Sequence, residues 1–171
     1  MGIMFFGERA YAAQIGINLD KKEYLYSPTF GDGLKLKEFG SDELGINTAL
    51  LVLLAESNGR GGGDFLVESP LVGRWVRDRI TIAGDYGDPE RGCNLYELCD
   101  QGQEYQDISL AVLRVLLEDC YYSLDLSDFS VFPLILSDGS NLTDEEIRQL
   151  KAAPLPAFDE TDRVCLDFQL E

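Results

Sequence analysis

Apolar and polar positions alternate in several short stretches near the start of the chain. Ile3–Phe6 and Tyr11–Ile17 are apolar runs separated by Gly7-Glu8-Arg9. Glu23–Ser27 alternates around Tyr24 and Tyr26 until Pro28 interrupts it, and Leu34-Lys35-Leu36-Lys37 alternates with one apolar and one wet face. A period of two places successive side chains on opposite faces of an extended strand, so this pattern predicts antiparallel strands over the first 40 residues.

The period then changes. Ser41 offers an N-cap, Asp42 and Glu43 suit the positive end of a helix, and Leu44–Ala55 is apolar on nearly every face, which predicts a central buried helix ended by Asn58-Gly59. Trp75–Ala83 alternates again, with Val76, Ile80 and Ile82 on one face and Arg77, Arg79 and Thr81 on the other, followed by a turn over residues 84–89. Asn94-Leu95-Tyr96-Glu97 has capping-box spacing and predicts a short helix. Asp107 is placed to cap a longer helix running to about Tyr122, with Ile108, Ala111, Val112, Val115 and Leu116 as its inner stripe. Thr143-Asp144-Glu145-Glu146 repeats the capping box and opens a helix that Pro154 must end. Arg163–Leu170 alternates as a closing strand. Together these predict an α+β fold, a mainly antiparallel sheet packed against two or three helices, in one globular domain over residues 1–171.

Charge changes the picture more than composition does. The net charge is −17; residues 1–84 hold 11 acids and 9 bases, whereas residues 85–171 hold 20 acids and 5 bases. A field of one sign repels nucleic acid and anionic membranes and attracts basic proteins or cations. The start of the chain lacks a basic leader, and no apolar run approaches a membrane span, the longest being Ala49–Ala55. The expectation is a soluble cytoplasmic protein with no membrane or direct nucleic-acid partner. Cys93, Cys99, Cys120 and Cys165 show no metal or redox spacing and read as free thiols.

Several motifs carry candidate chemistry. Asn58-Gly59-Arg60-Gly61-Gly62-Gly63-Asp64 is rich enough in glycine to cradle a phosphate, but it follows a helix and lacks the terminal Lys-Ser/Thr pair, so a flexible, empty connection is expected. Arg74, Arg77 and Arg79 flank Trp75, and their expected role is pairing with the molecule's own acids. Asp85, Asp88 and Glu90 share one turn and form the candidate site for a hard cation such as Ca²⁺, without the spacing of an EF-hand. The chain contains no histidine, the commonest general base and the usual partner of a serine or cysteine nucleophile.

Asn58–Asp64, Gly73-Arg74-Trp75, Asp78-Arg79-Ile80 and Ala83-Gly84-Asp85-Tyr86 resemble the central block of a small uncharacterised bacterial protein family. The resemblance spans residues 50–90 and implies no activity, cofactor or binding residue.

The functional expectation is therefore a small acidic interaction protein that binds a basic protein surface, as an inhibitor, an immunity-type protein or a nucleic-acid mimic. The candidate partner-binding carboxylates are Glu97, Asp100, Glu104, Glu118, Asp119, Asp125, Asp128, Asp144 and Glu145. No cofactor is expected beyond a cation at the Asp85 turn. The alternative is a carboxylate-based enzyme or a divalent-cation-binding domain using that turn.

Overall fold

The computed structural model describes residues 14–32, 35–39, 45–56, 67–85, 94–100, 102, 104–118 and 134–170. Ile3–Phe6, the predicted Ser41 cap and the Asn58–Asp64 loop lie outside these residues.

Strands β1 (Gln14–Asn18) and β2 (Glu23–Tyr26) form an antiparallel hairpin in which Ile17 faces Tyr24 and Ile15 faces Tyr26. Pro28 converts the end of β2 into a 3₁₀ turn over Ser27–Phe30, since proline cannot donate to a ladder. Strand β3 (Ile80–Gly84) pairs antiparallel with β1, and the short β4 (Gln106–Asp107) pairs parallel with β2, giving the order β3-β1-β2-β4. A second two-stranded sheet joins β5 (Ala157–Phe158) to β6 (Val164–Cys165). With helices α1 (Ile46–Leu54), α2 (Leu95–Asp100), α3 (Ser109–Glu118) and α4 (Asp144–Ala152), the architecture is α+β with a mostly antiparallel main sheet.

Both faces of the β1–β2 hairpin are covered. Ile15, Ile17, Tyr24 and Tyr26 pack with Tyr96, Cys99 and Tyr105 on the α2 side. Leu25 on the other face joins Phe30, Ile46, Val52, Trp75 and the inner positions of α3 in the larger core. Every residue of β2 is buried for this reason. Gly16 lets α1 lie close, because a Cβ there would sit 3.4 Å from Ile46 Cδ1.

Local signals account for three helix starts. Asn94 Oδ1 accepts from Tyr96 N at 3.2 Å and Glu97 N at 3.4 Å. Asp107 Oδ1 accepts from Ser109 N at 2.9 Å at the head of α3. Thr143 and Glu146 form a reciprocal capping box, and α4 stops at Ala152 before Pro154. The head of α1 departs from expectation: Gly45 is its N-cap, and Ile46 N donates to the distant Asp32 Oδ2 at 2.7 Å.

Other expectations are corrected. Of the predicted strand Leu34–Lys37, Leu34 lies outside the described residues and the rest is not extended; Leu36–Glu38 is a 3₁₀ turn closed by Glu38 N to Lys35 O at 2.8 Å. Residues 70–78 run in turns and a bend, and only residues from Ile80 are extended, because Trp75 is drawn into the core and Arg77 adopts a left-handed φ of 67°. Helix α1 is not buried all round, since Leu51 is 59% and Leu54 38% exposed. The closing strand is limited to Val164–Cys165. Among the described residues no helix is long and apolar enough to cross a membrane.

Candidate functional site

The arginine cluster around Trp75 resolves into four ion pairs, two of them made by Arg74. Arg74 places Nε and Nη2 on the Glu23 carboxylate at 2.9 and 2.6 Å, while Trp75 Nε1 donates to Glu23 Oε2 at 2.8 Å. The Arg74 and Glu23 side chains are 5% and 2% exposed. Arg74 also reaches Asp162, bonding its backbone oxygen at 2.6 Å, and lies 4.2 Å over the Phe158 ring. Desolvation opposes its charge, but hydrogen bonds to Glu23 and Asp162 more than offset this and hold its pKa above the usual arginine value. Arg77 pairs with Glu56, and Arg79 pairs with Asp20 at 2.6 Å. The expected pairing with the molecule's own acids therefore occurs, but three of the four carboxylates belong to the near-neutral first half.

The Arg74 group ties β2 to the β5–β6 hairpin and borders a polar cleft of about 510 Å³ that also contains Lys21, Lys22 and Arg163. Gln106 completes the attachment by donating Nε2 to Val164 O at 2.6 Å and accepting from Val164 N at 3.2 Å. Arg74 is paired with both Glu23 and Asp162, so the arrangement acts as a clamp for the hairpin.

A second cavity of about 280 Å³ lies beside the head of α3, lined mainly by Leu110, Ala111, Leu136, Val164 and Leu166. Asp107 sits at its margin. Burial pushes its carboxyl above the ordinary value, against the hydrogen bonds it accepts from Ser109, Ser137 and Tyr24. Nearby Cys99 is pushed up to about 12, chiefly by burial and then by the Asp107 charge. The thiolate is the reactive form of cysteine, so Cys99 is not poised as a nucleophile at neutral pH.

A third depression, of about 290 Å³, is apolar and lies between α1 and β3, lined by Leu50, Trp75, Ile80 and Ile82 over Gly16. Ile80 is 42% and Ile82 49% exposed; with Leu51 and Leu54 they are the exposed large hydrophobic side chains of the described residues. Sequence alternation identified Ile80 and Ile82 as one face of a strand. It did not reveal that this strand lies at the side of the sheet.

Of the nine candidate partner-binding carboxylates, Glu97, Glu104, Glu118, Asp144 and Glu145 are described and exposed. Glu104 pairs with Lys22 at 3.2 Å, Glu118 with Arg114 at 2.9 Å and Glu145 with Arg148 at 3.0 Å. Glu97 and Asp144 have no ion-pair partner among the described residues. Asp119, Asp125 and Asp128 lie outside the described residues, as does the Asp100 side chain. At the candidate cation turn, Asp85 is half-buried and its Oδ1 has no hydrogen-bond partner, while Asp88 and Glu90 lie outside the described residues. Among the described residues no group of three or more potential ligands could hold a metal ion.

No protein-family model matches this chain, and neither a curated protein nor a solved structure matches it.

Proposed function

We propose that the protein is an interaction protein whose acidic second half receives a basic protein partner. The observation that supports this most directly is the imbalance over residues 134–170, where eight carboxylates stand against three bases and all but Glu146 are exposed. Exposed charge of one sign accelerates encounter with an oppositely charged surface and falls off with added salt. Glu97 and Asp144 are the natural contacts, since neither is spent on an internal pair among the described residues.

The test is affinity capture from cell lysate at low and high salt, with each recovered partner then measured in purified form against Asp144→Lys and Glu97→Lys. The expected partners are basic, elute as salt rises and associate more slowly with the variants while dissociating at nearly the same rate. Partners retained unchanged at high salt, or indifferent to both reversals, overturn the proposal.

The unpartnered Asp85 Oδ1 favours a second reading, in which the Asp85 turn takes a divalent cation. A ligand bound only by the folded state raises stability by mass action. Calcium would then raise the melting temperature saturably in the wild type and not in Asp85→Asn; an unchanged wild-type melt removes this reading.

A further inference from the structure

Among the described residues, β3 has a neighbour on one side only. Leu19 N donates to Arg79 O at 2.9 Å, and Leu19 and Arg79 continue the β1–β3 register beyond the pair Asn18–Ile80. Hydrogen-bonded pairs alternate along an antiparallel ladder, so Thr81 and Ala83 turn their backbone groups toward β1. The N–H and C=O groups of Ile80, Ile82 and Gly84 consequently point away from the sheet. The strand Ile-Thr-Ile-Ala-Gly contains no charge and no proline, two of the devices that keep open edges from pairing.

We propose that β3 pairs antiparallel with β3 of a second copy of this chain, about a two-fold axis at Ile82, joining two four-stranded sheets into one. In this register Ile82 lies opposite Ile82 of the second copy, and Ile80 lies opposite Gly84. All three outward-facing residues of each strand then exchange both backbone hydrogen bonds. Sliding the strands by two residues in either direction leaves some of these groups without a strand partner.

The same register is complementary in charge. One residue beyond each end of the paired strands, Arg79 falls opposite Asp85, the first turn residue after β3, of the second copy. Asp20 occupies Nε and Nη2 of Arg79, whose side chain is 74% exposed, and Nη1 makes no hydrogen bond among the described residues. Asp85 is half-buried, and its Oδ1 is enclosed within the chain without a hydrogen-bond partner, so the contact falls to the rest of the carboxylate. On the sheet face opposite Thr81 and Ala83, the exposed Ile80 and Ile82 of the two copies meet at the axis, beside Leu50 of each α1. A strand carrying a base before its first residue, an acid after its last and isoleucine at its centre is complementary to itself when reversed. That self-complementarity selects a second copy over an unrelated strand.

Sedimentation equilibrium of the full chain over a wide concentration range tests the assembly, with amide exchange as the local readout. A monomer–dimer equilibrium is expected, with the Ile80, Ile82 and Gly84 amides gaining protection as the dimer fills. Ile82→Lys, at an exposed position, should keep the circular dichroism and melting of the monomer and abolish the dimer. Asp85→Arg should weaken it at least tenfold by opposing Arg79, and Arg79→Asp combined with Asp85→Arg should restore it. A wild-type monomer at every concentration overturns the proposal and leaves the edge to a strand from another protein. A dimer that survives Ile82→Lys overturns it by placing the interface elsewhere.

Discussion

Replacing Arg74 with methionine keeps the apolar stem of the side chain but removes the guanidinium, stripping the buried Glu23 carboxylate of its cation. Glu23 is 2% exposed and would retain only the Trp75 Nε1 donor among its described partners. Removing one member of a buried ion pair costs about 3–5 kcal/mol, because the other charge stays desolvated. Total stability is typically about 5–15 kcal/mol, so the loss is a large share of what holds the fold. For a chain of this size it corresponds to a fall in melting temperature of about 6–20 °C. The complementary change Glu23→Leu removes the other charge, and Arg74→Met with Glu23→Leu removes both. Chemical denaturation of the four proteins forms a double-mutant cycle. The double variant should be more stable than Arg74→Met alone, because no isolated charge remains buried. Asp162→Asn is the internal control: its side chain is 66% exposed, and it should cost less than about 1 kcal/mol. Additive single effects, or an Arg74→Met loss no larger than that of Asp162→Asn, would refute the clamp.

The remaining predictions concern separate sites. Glu146 bonds the Thr143 backbone and hydroxyl, which holds its pKa below the ordinary 4.5; its stabilising effect is present above that value and lost as pH falls through the lowered folded pKa, so a Glu146→Gln protein should show a flatter acid limb in melting temperature against pH. Gly73 has a φ of 78°, and a Cβ there would sit 2.7 Å from Ala55 O; Gly73→Ala should therefore destabilise by about 1–3 kcal/mol in denaturant titration. The open position Gly139, also left-handed but with nothing within 4 Å, should tolerate alanine better. Peptide mapping after iodoacetamide treatment at neutral pH should find Cys165 alkylated well before Cys99, because burial pushes the Cys99 thiol up to about 12.

The parts of the fold legible in the sequence are those decided within a few residues. The Thr143–Glu146 capping box, the Asn94 cap and the Pro28 break depend on neighbours in the chain, and each appears where its residue types place it. The misread segments are those decided at long range. Residues 75–83 have the alternation of a strand, yet Trp75 is held by Glu23, 52 positions away, and the chain bends through Arg77 before it can extend. Ser41 looked like the cap of α1, whereas Asp32 supplies the carboxylate to Ile46 N. The candidate sites divide in the same way. Exposed carboxylates can be named from composition, but whether each is spent on a neighbour depends on the tertiary fold, as the Glu104–Lys22 pair shows. The open side of β3 is a property of strand order, and strand order leaves no mark on a single strand's sequence.

The two proposed contacts respond to salt with opposite signs, which separates them without any mutation. Binding of a basic partner relies on attraction to exposed carboxylates, so it weakens as the Debye length shrinks from roughly 10 Å at 0.1 M to about 3 Å at 1 M. Pairing through β3 brings together two chains that each carry a charge of −17. Their mutual repulsion is long-ranged and is screened by the same salt. The Arg79–Asp85 contacts at the ends of β3 are attractive, but surface pairs of this kind contribute only about 0–1 kcal/mol each, so their loss is the smaller effect. The backbone bonds and the isoleucine contact at the axis are short-ranged and scarcely respond to ionic strength. Salt therefore strengthens self-association while it releases a basic partner. A rise in salt that weakened both to the same extent would mean that the β3 contact is held chiefly by charge, which its uncharged sequence does not provide.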